Sequence, residues 1–132
     1  MFDYSMLKAI SKISDDQKVK SIVNSLNPNQ EVSKTWLVSE SFKYFQLFDK
    51  PKFLVAAGWY GNLANKLSDH GEVMSFDMDK NCADIGKKLY PKVKFKTHDM
   101  IDYRSVKKHD VIICTSCEHI EQDVLNEFIG RR

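Results

Sequence analysis

From Lys52 to the end of the chain, short apolar runs alternate with polar stretches of helical composition, and this alternation limits the possible folds more than any other feature. Phe53–Ala57, Glu72–Phe76, Val93–Thr97 and Asp110–Cys114 read as strands. Asn62–Ser68, Asn81–Leu89 and Glu121–Ile129 read as helices, with Pro91 stopping the second and Val124, Leu125 and Phe128 facing inward on the third. A strand of unbroken apolar residues must be covered on both faces, and a parallel sheet flanked by helices does this. The expected fold is therefore α/β, an open and mainly parallel sheet of about four strands.

The first fifty residues have a different character. Apolar residues between Asp3 and Leu26 recur at helical spacing, most clearly Val19, Ile22, Val23 and Leu26. Ser14 with Gln17 forms a capping box, so two short helices are expected. Asn27-Pro28-Asn29 breaks the chain, because proline has no amide donor and disfavours helical geometry in the residue before it. Val32–Phe48 then reads as a helix with Val38, Phe42, Phe45 and Phe48 on one face. A length of 132 residues with 42% hydrophobic content suits one domain, with residues 1–50 a helical extension and 51–132 the α/β core.

The charge balance, 20 basic against 18 acidic residues, demands neither nucleic acid nor a membrane as partner, and the lysines between Lys87 and Lys96 read as solvated surface. No apolar run has the length of a membrane span, and the opening MFDYSMLKAISK lacks the order of a secretion signal. The expected location is cytoplasmic. Three cysteines, an odd number, argue for reduced thiols rather than a disulfide framework.

The first strand runs into Gly58, with Gly61 at the mouth of the following helix. Ligands of open α/β sheets sit at the carboxyl ends of the strands, where such glycines let backbone approach a ligand and the helix start offers unpaired amides. Asp77 ends the second strand, where a carboxylate can accept both hydroxyls of a ribose, and Asp99 follows the third. Either aspartate alone is more often a cap or turn residue; their shared placement favours a nucleoside site.

On these residues the segment from Lys52 to Ile129 resembles the front half of a class I S-adenosylmethionine-dependent methyltransferase, whose sheet is Rossmann-like. FLVAAGWYG is similar to that family's glycine-rich first motif, and SFDMD to the motif whose acid holds the ribose. THDMID resembles the motif whose aspartate bonds the adenine amino group and whose next residue packs on the ring. DVIICTSCEHI resembles the fourth motif, with a Glu-His ending. The resemblance implies S-adenosyl-L-methionine as cofactor, held by Gly58, Trp59, Gly61, Asp77, Met78, Asp99, Met100 and Thr115, and methyl transfer to a small-molecule or RNA acceptor. It places Glu118 and His119 where the methyl group emerges, with His119 as the proton acceptor when the acceptor is a hydroxyl.

Departures from the family pattern matter as much. Ala56 stands where the family has an acid, and the glycine loop is one residue shorter, with Trp59 and Tyr60 inside it. The methionine end of the cofactor would then be held by backbone amides or by a side chain from the amino-terminal helices. The family's sheet continues past its fourth strand, whereas this chain ends at Arg132, which suggests a shortened form. Strand 110–114 would be an open apolar edge, to be covered by self-association or by the amino-terminal helices.

Small-RNA 2′-O-methyltransferases bind metal through a Glu-x-x-Glu-His arrangement and a later histidine. Thr115 replaces the first glutamate here and no histidine follows His119, so no metal is expected. Cys114 and Cys117 form a C-x-x-C pair with no second pair to complete a zinc site. A catalytically degenerate fold acting as a binding or partner subunit is the main alternative. A nicotinamide-dependent oxidoreductase is disfavoured because its G-x-G-x-x-G fingerprint is missing.

Overall fold

The computed structural model describes residues 4–13, 15–116 and 120–131. Three helices, α1 (Tyr4–Ser11), α2 (Asp16–Ser25) and α3 (Pro28–Phe45), precede the sheet. Then follow β1 (Lys52–Ala56), α4 (Asn62–Leu67), β2 (Glu72–Asp77), α5 (Lys80–Leu89), β3 (Lys94–Thr97), β4 (Val111–Ile113) and α6 (Gln122–Gly130). The four strands form one sheet in the order β3-β2-β1-β4, and every pairing is parallel. The expected α/β architecture is therefore present, with each strand within a residue or two of its expected place.

The apolar run of β1 is buried on both sides, whereas β3 alternates a buried Phe95 with exposed lysines and β4 is partly buried along its length. In β1, Phe53 and Val55 enter one core cluster and Leu54 and Ala56 the other, the alternation that a strand's period of two imposes. The first cluster joins β1 and β2 to α4 and α5, and includes Met6 of α1, Ile22 of α2 and Phe45 of α3. The amino-terminal helices thus share a core with the sheet. The second cluster seats Phe128 of α6 against Phe76, Tyr103 and Val106, with Val124 and Leu125 packed at its margin. Phe76 stacks on Tyr103 with ring centroids 4.8 Å apart.

Several boundaries differ from the sequence reading, each for a local reason. The cap of α2 is Asp15, one residue past the expected position, and its carboxylate accepts the amides of Gln17 and Lys18. Pro28 begins α3 instead of only interrupting the chain: its missing amide costs nothing at the first helical position, and Asn27 caps the turn by accepting the Gln30 amide. Of the aromatic face expected on this helix, Phe45 is buried against Phe53, while Phe42 and Phe48 are 44% and 42% exposed. The helix ends at Phe45, so Phe48 lies beyond it and the expected face is not completed. A short 3₁₀ turn at Ser105–Lys108, unsignalled in the sequence, carries the fully buried Val106 into the second cluster.

Candidate functional site

The turn after β1 is built from the sheet outward. The Gly58 amide donates to the Phe76 carbonyl at 2.9 Å, extending the β1–β2 pairing one residue past the strand. A Cβ at Gly58 would run into the Ser75 hydroxyl and lie 3.1 Å from a Val55 methyl. That glycine is required by its approach to β2. Gly61 answers a different need: its φ is +96°, in the left-handed region, and a Cβ there would meet the Phe95 ring. Ala57 and Trp59 also take positive φ, +52° and +54°, a conformation that costs a residue with a side chain on the order of 1–3 kcal/mol.

What holds this loop in place is largely Asp77. One carboxylate oxygen accepts the Trp59 amide at 3.1 Å, and the other accepts the Asp79 amide at 3.1 Å. The acid at the end of β2 thus fastens the glycine loop to the start of α5. From the other side, the Ser116 hydroxyl donates to the Ala57 carbonyl at 3.5 Å, drawing the segment after β4 over the turn.

Above the turn lies a cavity of about 550 Å³, within the range of small-molecule sites. Gly58, Trp59, Asp77, Met78 and Thr115, five of the expected cofactor residues, line it together. Gly61 is not in the cavity wall; it caps the start of α4, its carbonyl accepting the Asn65 amide at 2.8 Å. Asp99 and Met100 are not in the cavity wall. Asp99 is exposed and closes a local turn by accepting the Ile101 amide at 3.0 Å. Met100 is buried in the second core cluster. Glu118 and His119, expected to act on the acceptor, lie outside the described residues, as does Cys117 of the C-x-x-C pair. Ser116 lines the cavity, and Ile120 does so where the described chain resumes.

The sequence reading named no residue of α3 for the site, yet Gln30 and Lys34 line the cavity one helical turn apart. Glu31 holds that helix in place. Its carboxylate accepts from Asn62 and from Lys66 of α4, both at 2.7 Å. Burial works against the charge on Glu31, but these two hydrogen bonds and the Lys66 charge outweigh it, so its pKa lies below the ordinary value. Lys34 is half-buried and its pKa is lowered by burial, an effect offset in part by the Glu31 charge. Nothing in helical spacing distinguishes such a lysine from a solvated one.

Cys82 is buried beneath Asp77 and Asp79, and burial together with those two charges pushes its thiol up to about 12. Among the described residues no group of three His, Cys, Asp or Glu could hold a metal ion, and no helix is long and apolar enough to cross a membrane.

No family model matches the chain, and neither does any curated protein. Its fold, however, is shared with solved methyltransferases. The chain is similar to the plantazolicin methyltransferase BpumL in complex with S-adenosylhomocysteine (TM-score 0.64, 22% identity, covering 96% of this chain and 51% of that one). It is also similar to a SAM-dependent methyltransferase from Thiobacillus denitrificans bound to S-adenosyl-L-homocysteine (0.57, 16%, 75% and 43%). A third is a TehB-like SAM-dependent methyltransferase from Corynebacterium glutamicum (0.56, 16%, 80% and 66%). The architecture is therefore the Rossmann-like fold of class I SAM-dependent methyltransferases. The chain spans between 43% and 66% of the length of these three proteins.

Proposed function

We propose that this chain binds S-adenosyl-L-methionine in the cavity above the glycine turn and takes part in methyl transfer to a small-molecule or RNA acceptor. The observation that carries the reading is the position of Asp77: a carboxylate at the end of β2, in the wall of a cavity whose floor is the Gly58 backbone. A carboxylate there can accept ribose hydroxyls, and Gly58 leaves room for backbone to approach the ligand. Val55, Leu63 and Ile120 give the same cavity an apolar lining that suits a flat ring.

The bound cofactor supplies an activated methyl group on a sulfonium. The protein's task is then to orient donor and acceptor and to exclude water. Glu118 and His119, carried between two cavity-lining residues in the sequence, are the groups we assign to the acceptor, with His119 taking a proton from a hydroxyl.

Titration calorimetry of the chain with S-adenosylmethionine, S-adenosylhomocysteine and NAD tests the donor assignment. Binding of the first two, lost in Asp77→Ala, is the expected result; binding of NAD alone would refute it. Methyl release with candidate acceptors, compared between the wild type and His119→Ala, tests the catalytic assignment.

A second reading, a partner subunit without catalysis, is supported by Asp99 and Met100 standing outside the cavity wall and by Ala56 in place of an acid. It predicts no turnover, with the donor either bound or not bound at all. In either case β4 is, among the described residues, the last strand of the sheet on its side, so a second copy adding along residues 110–114 is the association we propose. Sedimentation velocity at increasing concentration tests it, and a monomer throughout would exclude it.

A further inference from the structure

The lining of the cavity above the glycine turn includes two charged side chains. Asp77 at the end of β2 supplies the carboxylate, and Lys34 reaches the same space from α3. The Lys34 ammonium makes one hydrogen bond among the described residues, to the Ser25 carbonyl at 3.2 Å, and has three donors in all. The carboxylate nearest in sequence, Glu31, hydrogen-bonds Asn62 and Lys66 and acts on Lys34 through its charge, with no hydrogen bond to it among the described residues. Lys34 is therefore a half-buried cation that lines a ligand-sized space and has hydrogen bonds still to give.

A second observation points the same way. The buried end of β1 carries Ala56, wholly enclosed, so the strand offers no charged side chain to the amino-acid end of a donor. Any charged contact at that end must come from another element. Helix α3 is fixed against α4 by the Glu31–Lys66 pair at 2.7 Å, with both side chains largely covered, so its cavity face is a rigid support.

Resting on the donor-binding reading, we infer that Lys34 is the specificity-determining cation of the site: it takes the carboxylate of the donor's amino-acid tail while Asp77 takes the ribose. The cavity would then select adenosine thioethers that bear an α-carboxylate over those that lack one. The selection comes from the amino-terminal helix, and the glycine loop needs no acid to achieve it.

The test compares S-adenosylhomocysteine with 5′-methylthioadenosine, which keeps the nucleoside and sulfur but has no amino-acid tail. Calorimetry is run on the full chain as wild type, Lys34→Gln and Lys34→Arg. The wild type is expected to bind S-adenosylhomocysteine roughly tenfold or more tightly than methylthioadenosine, the scale of a hydrogen bond to a charged group. Lys34→Gln should abolish that preference while leaving methylthioadenosine affinity within about twofold, and Lys34→Arg should restore part of it.

Methylthioadenosine binding also reports that Lys34→Gln is folded. If Lys34→Gln weakens both compounds equally, or neither, the assignment of Lys34 is overturned while donor binding stands. If the wild type binds neither compound, the donor reading falls and Lys34 falls with it.

Discussion

The contact between Gly58 and Ser75 gives the most direct test of how the turn is built. An alanine at position 58 would push its methyl into the Ser75 hydroxyl and lie 3.1 Å from a Val55 methyl, with both neighbours fully buried. Neither can rotate into solvent, so β1 and β2 must separate locally. Overpacking of this kind costs about 1–3 kcal/mol. The Ser75 hydroxyl itself has no hydrogen-bond partner among the described residues. Removing it in Ser75→Ala should therefore be neutral or stabilising, because an unsatisfied buried hydroxyl is itself a cost. In the double variant the new methyl would have only the Ser75 Cβ at 3.4 Å and the Val55 methyl to accommodate. A double-mutant cycle by urea denaturation should show Gly58→Ala losing about 2 kcal/mol in the wild-type background and recovering about 1 kcal/mol or more of it in Ser75→Ala. An equal loss in both backgrounds would show that the glycine answers to something other than β2. No loss at all would refute the packing argument altogether.

Three further outcomes follow from individual groups. Glu31 has a lowered pKa in the folded chain, so its contribution is present above its unfolded value of about 4.5 and is lost as pH falls through the lower folded value; Glu31→Gln should flatten the loss of stability below pH 4.5, as read from thermal melts at stepped pH. Burial lowers the pKa of His109, whose ring also meets the Tyr103 hydroxyl at 2.9 Å. The unfolded chain therefore takes up a proton there first, so stability should decline as pH drops below about 6.5, and His109→Gln should remove that slope. Cys82 should resist alkylation in the native chain at pH 8 and become reactive only in denaturant, which peptide mapping by mass spectrometry would read; rapid native labelling would contradict its burial.

The first strand could be read from the sequence because burial on both faces leaves nothing but apolar residues in Phe53–Ala56, and no long-range knowledge is needed to see that. Asp77 was legible for the same reason, as the polar residue that ends such a run. What escaped was set by partners distant in the chain. Nothing local marks Phe45 as the core residue of its aromatic series; only the approach of Phe53, at 5.1 Å, selects it. Left-handed backbone at Ala57 and Trp59 is hidden because neither residue type signals it. Lys34 reads as a surface lysine until α3 is laid beside the glycine turn.

Asp77 has a double duty that spacing alone does not reveal. It lines the cavity, and it also holds the Trp59 amide and so helps keep two strained residues in place. Loss of binding in Asp77→Ala would therefore mix a lost ligand contact with a loosened loop. Asp77→Asn keeps one carbonyl oxygen that can still accept the Trp59 amide, but removes the charge and one of the two acceptors. If the loop's geometry is what the ligand needs, the asparagine variant should retain most of the binding that alanine loses. If the charged acceptor for the ribose is what matters, both variants should fail alike. The acid at the end of β2 is then either chiefly a clamp or chiefly a ligand, and comparing the two substitutions separates these roles.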